Sequence, residues 1–139
     1  GLLQIIAGNG VYNPPAVVEG ILDPEEELSQ LATGPLPSSR QVLSRPTVTA
    51  LRKMLEAVVL YGTGQMAQTQ QGAAGIGGSM VTGEVTGRPL FNSWFAGYAP
   101  AHGPKLVGVV FLENDPGGEE KAAAIFASLL SNCLEKYHP

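Results

Sequence analysis

The chain has 139 residues, 44% of them hydrophobic, which is enough to bury the core of one domain. A net charge of −4 and the lack of a Lys/Arg cluster exclude the basic surface expected of a protein that binds nucleic acid or anionic lipid. Because Cys133 is the only cysteine and no Cys/His set has zinc spacing, we expect no disulfide, no metal and no other cofactor.

The first elements along the chain are a short helix and a short strand. The apolar residues 1–6 predict a helical stub that ends at residues 8–10, because glycine and asparagine accept the left-handed backbone that closes a helix. After two prolines, residues 16–21 are rich in β-branched side chains and predict a strand. Residues 23–39 are acidic, proline-rich and aperiodic, which is typical of a surface excursion or a short hairpin.

A long helix and three strands are predicted next. The helix covers residues 46–61, since its proline suits a first turn and apolar residues recur behind it at helical spacing. Gly62 is expected to stop it. The strands are expected at roughly residues 73–85, 91–98 and 106–113. Their connections are too short for parallel crossovers, so they predict an antiparallel meander.

The last strand and the last helix carry clear apolar patterns. Residues 106–112 are apolar on both faces, so this strand is expected inside the sheet with both sides covered. In the helix that follows, Asn114 or Asp115 is expected near the N-terminal cap, with acidic residues in the first turn. The apolar stripe expected to pack on the sheet consists of Ala122, Ile125, Phe126, Leu129, Leu130 and Cys133.

Four phrases of the sequence, taken together, point to a protein family. They are IAGNGVY at residues 6–12 with a following proline pair, VVLYGTG at 58–64, AGIGGS at 74–79 and WFAGYAP at 94–100. In this order they resemble the C-terminal half of class B penicillin-binding proteins, the serine transpeptidases that cross-link peptidoglycan. That family typically shows an ANGG helix end before PP, a helix end in GTG, an AGKTGT strand and a WFvGYaP strand. The phrases cover nearly the whole chain.

The third phrase departs from the family pattern where the chemistry lies. The resemblance implies that active members carry Lys-Thr-Gly in this strand, where the lysine and the hydroxyl help to position the substrate carboxylate. Here Ile76 stands at the lysine position and Gly77 at the threonine position. Gly78 keeps the glycine that allows close approach to the strand, and Ser79 keeps a hydroxyl. The candidate residues of the substrate strand are therefore Gly77, Gly78 and Ser79.

The two other catalytic motifs of the family are missing from these residues. The resemblance implies an SxxK motif with the acylated serine and an SxN motif that completes the proton network, both upstream of this segment. No serine here has a lysine one helical turn downstream, and a serine needs an adjacent base to act as a nucleophile at neutral pH. We therefore expect no catalytic residue and no enzyme activity in this chain, and the missing lysine suggests a degenerate parent transpeptidase.

Other patterns have ordinary structural interpretations that we favour. Residues 62–67 match the GxGxxA form of a dinucleotide-binding loop, but they follow a predicted helix instead of a strand. His102 lies in a Gly/Pro turn without a second metal ligand, which favours a solvated loop residue. The aromatic residues of the fourth phrase are more typical of a core than of a binding platform. The acidic run at 25–27 favours a solvated face, and residues 75–79 fit a glycine-rich bend as well as a binding strand.

The sequence as a whole predicts one α/β domain over residues 1–139, the C-terminal fragment of a transpeptidase-like domain. It consists of an antiparallel sheet of at least three strands, with the C-terminal helix on one face and the helix of residues 46–61 nearby. The resemblance implies a five-stranded sheet in the complete fold, with two strands from the N-terminal side. An edge of this fragment's sheet should therefore be exposed, which invites pairing with another chain.

The leading functional hypothesis is a C-terminal portion of a transpeptidase module linked to peptidoglycan synthesis. As this chain it would be inactive, a scaffold or a peptide-binding remnant that adds an extended peptide to the strand at 77–79. One alternative is a fragment of an active D,D-transpeptidase with an atypical third motif, and another is an unrelated small ligand-binding α/β domain whose residues 75–79 face a closed pocket.

Partners and location follow from the same resemblance. The expected partners are the missing N-terminal part of the domain, other cell-wall proteins or a second copy through the sheet edge, but neither nucleic acid nor a membrane. The chain shows no signal-peptide pattern and no apolar run of bilayer length. The resemblance implies a parent at the extracytoplasmic face of the bacterial envelope, anchored by a segment not present here.

Overall fold

A computed structural model describes residues 1–15 and 38–136 of the chain. The strand predicted at 16–21, the acidic run at 25–27 and most of the excursion predicted at 23–39 lie outside the described residues. The elements in chain order are helix α1 (Leu2–Ala7), strands β1 (Val11–Tyr12) and β2 (Arg40–Gln41), helix α2 (Arg45–Tyr61), a 3₁₀ turn (Gln65–Ala67), strands β3 (Ala74–Val85), β4 (Arg88–Ala99) and β5 (Leu106–Asp115), and helix α3 (Gly118–Lys136).

Helix α1 ends where glycine and asparagine were predicted to close it. Asn9 and Gly10 have φ angles of 58° and 87°, in the left-handed region. Arg52 of α2 donates to the carbonyl oxygens of Ile6 and Ala7 at 3.0 and 2.7 Å. These bonds satisfy carbonyl groups that the end of a helix leaves without an intrahelical partner. One arginine therefore fixes α1 against α2.

Helix α2 has the caps that its sequence predicts. The Oγ of Ser44 accepts the backbone N–H of Thr47 at 3.3 Å, Pro46 stands in the first turn, and Gly62 follows the last helical residue. The helix packs beside β3 and buries one side against α1 and the sheet. The fully buried members of this cluster are Ile6, Val48, Leu55, Ala74 and Tyr98.

The three long strands form an antiparallel sheet in the order β3-β4-β5, which confirms the predicted meander. Only Thr86 and Gly87 connect β3 to β4, with φ angles of 51° and 75°. Two-residue hairpin turns favour this left-handed backbone because its twist matches that of the strands. Strand β4 therefore begins at Arg88, earlier than the predicted start at Phe91.

Strand β5 was predicted inside the sheet with both sides covered, and within the described residues this prediction is wrong. The central strand is β4, and β5 forms an edge of the three-stranded sheet. Val110 on one face of β5 is buried, whereas Val109 and Phe111 on the other face are 70% and 59% exposed. The apolar pattern indicated two covered faces, but within the described residues only one face of this strand is covered.

The main core lies between α3 and one face of the sheet. Gly97 of β4 and Gly108 of β5 stand opposite each other. A Cβ atom at these positions would lie 2.9 and 3.3 Å from the ring of Phe126 on α3, so the two glycines form a slot for that ring. Phe126 is fully buried, and its ring centroid lies 4.9 Å from that of Phe95.

The buried stripe of α3 is rotated from the predicted one. Leu129 and Cys133 were predicted to belong to it, but both are exposed. Each of them stands one residue before a buried position of the row 122, 126, 130 and 134, which faces the sheet. Neighbouring residues of a helix point in different directions, so these two side chains point away from the sheet. The buried residues of α3 are Ala122, Ala123, Phe126, Leu130 and Leu134.

The aromatic residues of the WFAGYAP phrase divide between the core and the surface. Phe95 and Tyr98 are fully buried, whereas Trp94 is partly exposed on the face of the sheet opposite α3. Burial raises the pKa of the Tyr98 phenol, while the charge of Arg52 opposes this rise. No helix in residues 1–15 and 38–136 combines the length and the apolar character needed to cross a membrane.

Candidate functional site

The predicted substrate strand, residues 77–79, lies in the first half of β3. Within the described residues β3 is an edge strand that pairs with β4 on one side only. Such an edge offers backbone N–H and C=O groups to an extended peptide. Residues 75–79 therefore lie in a strand with an open edge and do not face the closed pocket expected for an unrelated ligand-binding domain.

The lysine position of the motif lies on the face of the sheet opposite α3. Helices α1 and α2 cover this face near Ala74 and Tyr98, and the exposed part beyond them is called the open face here. Ile76 and Gly78 share this face because side chains alternate along a strand. The Ile76 side chain is 44% exposed. A Cβ at Gly78 would lie 3.3 Å from Nε1 of Trp94, so the indole covers this glycine. Where the family carries a cation, this chain presents an aliphatic side chain near an indole.

The open face continues from this position into a shallow apolar groove. Trp94 of β4 and Phe111 of β5 are cross-strand partners, and both are partly exposed. Side chains of β3 complete the wall on the other side of the indole. The groove is lined by Gly78, Ser79, Met80, Asn92, Trp94 and Phe111.

The threonine position of the motif faces α3 and is occupied by a side chain from that helix. A Cβ at Gly77 would lie 2.9 Å from both Cγ and Oε1 of Glu119. The Glu119 Oε1 accepts a hydrogen bond from Oγ1 of Thr63 at 2.9 Å. The carboxylate therefore lies over the strand where the family has a threonine side chain, and a side chain at 77 would displace it from this position.

Asp115 organises the start of α3 beside this carboxylate. Helix α3 begins at Gly118, not near Asn114 or Asp115 as predicted, because these two residues still belong to β5. Asp115 instead accepts the N–H of Gly117 at 2.7 Å and the Nζ of Lys121 at 2.6 Å. These hydrogen bonds, that of Lys121 first, hold the pKa of the Asp115 carboxyl below its usual value.

Replacing Asp115 by asparagine is expected to remove an acid-sensitive part of the chain's stability. A lowered pKa in the folded state stabilises the fold above the unfolded pKa of about 3.9, and this contribution disappears as pH falls through the lowered value. The variant should melt at a lower temperature than the wild type at pH 7, and the gap should narrow below about pH 4. Thermal unfolding followed by circular dichroism across this pH range measures the effect.

The control for this prediction is Glu113→Gln, which removes an exposed carboxylate from the same strand. Its melting temperature should stay near that of the wild type at every pH. A difference in melting temperature between Asp115→Asn and the wild type that stays constant from pH 7 to pH 3 would contradict the assigned role of the carboxylate.

The remaining sequence patterns lie in ordinary structural settings. Residues 62–67 comprise the link after α2 and the 3₁₀ turn, so they do not join a strand to a helix as a dinucleotide-binding loop does. His102 is an exposed turn residue whose Nε2 lies 3.4 Å from Oε1 of Glu56. Among residues 1–15 and 38–136, no three His, Cys, Asp or Glu side chains are grouped to hold a metal ion.

Sequence reasoning missed the two features that shape this site, namely the carboxylate of Glu119 and the apolar groove beside Trp94. The one signal for the first was the glycine at 77, which admits a side chain from another element. The groove had no signal in the sequence, because a strand that is apolar on both faces predicts that both faces are covered.

Comparisons with known proteins agree with the resemblance seen in the sequence. The family model described as "Penicillin binding protein transpeptidase domain" matches residues 1–131. Stage V sporulation protein D of Bacillus subtilis is 30% identical over 139 residues, which cover 96% of this chain and 21% of that protein. Penicillin-binding protein PbpB of Mycobacterium tuberculosis is 29% identical over 153 residues, covering 98% of this chain and 22% of that protein.

A solved structure gives the same result for the fold. The crystal structure of penicillin binding protein 3 from Mycobacterium tuberculosis in its apo form matches with a TM-score of 0.76 and 27% identity. The match covers 98% of this chain and 34% of that one. The α/β fold with an antiparallel sheet and a C-terminal helix is therefore the expected one. The chain spans about a fifth of the length of the curated relatives it matches.

Proposed function

Because the chain belongs to the penicillin-binding protein transpeptidase domain family, we propose that it is the C-terminal portion of a transpeptidase module in peptidoglycan synthesis and performs no catalysis alone. The observation that carries the proposal is the edge strand β3, which retains the position of the family's substrate strand but has Ile76 in place of the lysine. The strand is thus suited to holding a peptide and unsuited to activating one.

The lack of catalysis follows from the chemistry of acyl transfer. A serine becomes a nucleophile near neutral pH when an adjacent base accepts its proton. Ser79 is the hydroxyl residue of the substrate strand, and no lysine follows any serine of this chain at the spacing of the SxxK motif. Lys121, at the start of α3, is held by Asp115 at 2.6 Å. For this reason no serine of this chain is proposed to be acylated.

The function proposed for β3 is to bind an extended peptide as an added strand. Gly77 and Gly78 reduce side-chain crowding, so a peptide backbone can approach the strand closely. The backbone groups of the open edge provide affinity, and Ser79 provides one further hydroxyl donor or acceptor. A scaffold of this kind holds a peptide without changing it.

The open face is proposed to bind the upstream part of the same transpeptidase module. Val109, Phe111 and Trp94 form an exposed apolar surface on that face, next to the edge of β5. Contiguous apolar patches on monomeric proteins are usually small, and larger ones mark interaction sites. The matched crystal chain is about three times as long as this one, so a family member has further chain to cover such a face. The chain alone should then self-associate through the same surface.

Replacing Phe111 by serine together with Val109 by threonine is expected to reduce that self-association. Both side chains are mostly exposed, so their loss should weaken the contact between copies by about tenfold or more while leaving the fold intact. Sedimentation velocity over a range of concentrations measures the change. The matched control is Leu129→Ser, which removes an exposed apolar side chain from α3, and it should leave the association unchanged. Equal effects of both changes would contradict the proposal.

The parent protein is proposed to work at the extracytoplasmic face of the bacterial envelope, anchored by a segment outside these residues. Its support is membership of a family whose substrate is the cell wall. Protease treatment of intact cells with a permeable outer layer tests it. Digestion of this domain before cell lysis is expected, whereas full protection until lysis would contradict the location.

The experiment that tests the proposed function is labelling with fluorescent penicillin, followed by intact-mass spectrometry. It is performed on this chain and on the full-length parent. We expect neither to be labelled, which supports a non-catalytic module. Labelling of the parent alone would favour the alternative of an active transpeptidase with an unusual third motif. Labelling of this chain would show that it contains a nucleophile after all.

A further inference from the structure

The negative charge of Glu119 lies beside the substrate strand, and membership of the family does not explain it. We propose that Glu119 determines the specificity of this strand: it favours an extended peptide that carries a primary ammonium group and disfavours one that presents a carboxylate. The inference rests on the proposed function, because both assume that a peptide binds to β3 as an added strand.

The position of Glu119 is the first argument. Its carboxylate lies on the α3 side of β3, so close to Gly77 that a Cβ there would be 2.9 Å from Oε1. The side chain is half-buried and is held by the hydrogen bond from Thr63 at 2.9 Å. An ionised carboxylate accepts about four hydrogen bonds, so this one retains capacity for a ligand. A peptide paired with the strand would pass beside a fixed negative charge.

The nearby cations are the second argument. Lys121, one turn or less from Glu119 along α3, is engaged by Asp115 at 2.6 Å. At the family's lysine position, Ile76 adds no charge on the other face. Within residues 1–15 and 38–136, no ion pair neutralises Glu119. The charge at the strand is therefore negative where the family pattern would be positive.

The N-terminus of α3 acts against this charge but is too weak to reverse it. A helix N-terminus carries the equivalent of about half a positive charge, and an acidic residue in the first turn is favourable there. This accounts for an acidic residue near the start of α3. It does not account for a carboxylate that crosses to β3, accepts a hydrogen bond from Thr63 and occupies the space beside Gly77. A full negative charge against half a positive one leaves the strand with a net preference for cations.

The test compares two peptides that differ at one residue, which is a cation in one and an anion in the other. They are N-acetylated, C-amidated Ala-Lys-Ala-Ala and Ala-Glu-Ala-Ala, titrated into the chain by NMR at low ionic strength. We expect the lysine peptide to bind about tenfold tighter, since the carboxylate attracts the lysine and repels the glutamate, and both effects contribute to the ratio. The isosteric variant Glu119→Gln should reduce this ratio to about two or less, and Glu119→Lys should invert it. Glu135→Gln, at the far end of the same helix, is the control and should keep the ratio of the wild type.

The outcomes separate this inference from the proposed function. Binding of both peptides with equal affinity, or a preference that Glu119→Gln leaves unchanged, overturns the role of Glu119 and leaves strand addition intact. Binding of neither peptide overturns strand addition and this inference with it. A preference that disappears in Glu119→Gln and inverts in Glu119→Lys supports both.

Discussion

In a full-length protein that carries the upstream serine motif, as the alternative of an active transpeptidase requires, replacing Ile76 by lysine is expected to increase the rate of labelling by fluorescent penicillin by about ten- to hundredfold. The side chain at 76 lies on the open face and is partly exposed, so a lysine fits there without burying an unpaired charge. A hydrogen bond from a charged donor to a carboxylate contributes about 1.5–3 kcal/mol, and this corresponds to the expected increase. The measurement is the labelling rate on a gel at several times.

The control for this prediction is Ile76→Met, which changes the shape of the side chain without adding charge. Its labelling rate should match that of the wild type. A lysine variant that is labelled no faster than the methionine variant would contradict the view that loss of the cation limits this strand. In the chain of 139 residues both variants should stay unlabelled, because none of its serines has a lysine at the spacing of the SxxK motif.

Replacing Phe126 by alanine is expected to lower the free energy of unfolding by about 3–5 kcal/mol. The ring is fully buried against Phe95 and fits the slot between Gly97 and Gly108. Its removal leaves a cavity that the rigid strands cannot close by moving inward. Because a domain is stable by about 5–15 kcal/mol in total, much of the stability should be lost. Urea denaturation followed by far-UV circular dichroism measures it.

The matched control is Leu129→Ala on the same helix, where the side chain is half exposed. It should cost less than about 1 kcal/mol, since most of this side chain is not removed from water on folding. Equal losses for the two variants would mean that the core does not lie between α3 and the sheet. Phe126→Leu keeps a side chain that fills part of the slot. Its loss in free energy of unfolding should lie between those of Phe126→Ala and Leu129→Ala.

The local features of the fold were predictable because they depend on neighbouring residues. The end of α1 requires backbone angles that Asn9 and Gly10 accept, and both adopt them. The start of α2 follows from Ser44 and the proline behind it. The antiparallel order of the three strands followed from connections too short for any other arrangement.

The features that were missed depend on which elements meet. An apolar strand such as β5 has the same pattern whether its second face is covered or open. An exposed sheet edge was predicted, but the pattern did not show that β5 forms one. The stripe of α3 was misplaced because apolar residues surround more of the helix than the sheet covers, and Leu129 and Cys133 point away from it.

The sequence by itself determined which motif residues are absent. No serine has a lysine at the spacing of the SxxK motif, and Ile76 stands where the family pattern has a cation. Those conclusions need only residue identities and short spacings. Only the tertiary structure decided that Glu119 lies over Gly77 and is held there by Thr63. These three residues come from α3, from β3 and from the loop after α2, and their contacts arise because packing of the helices on the sheet brings distant parts of the chain within hydrogen-bonding distance.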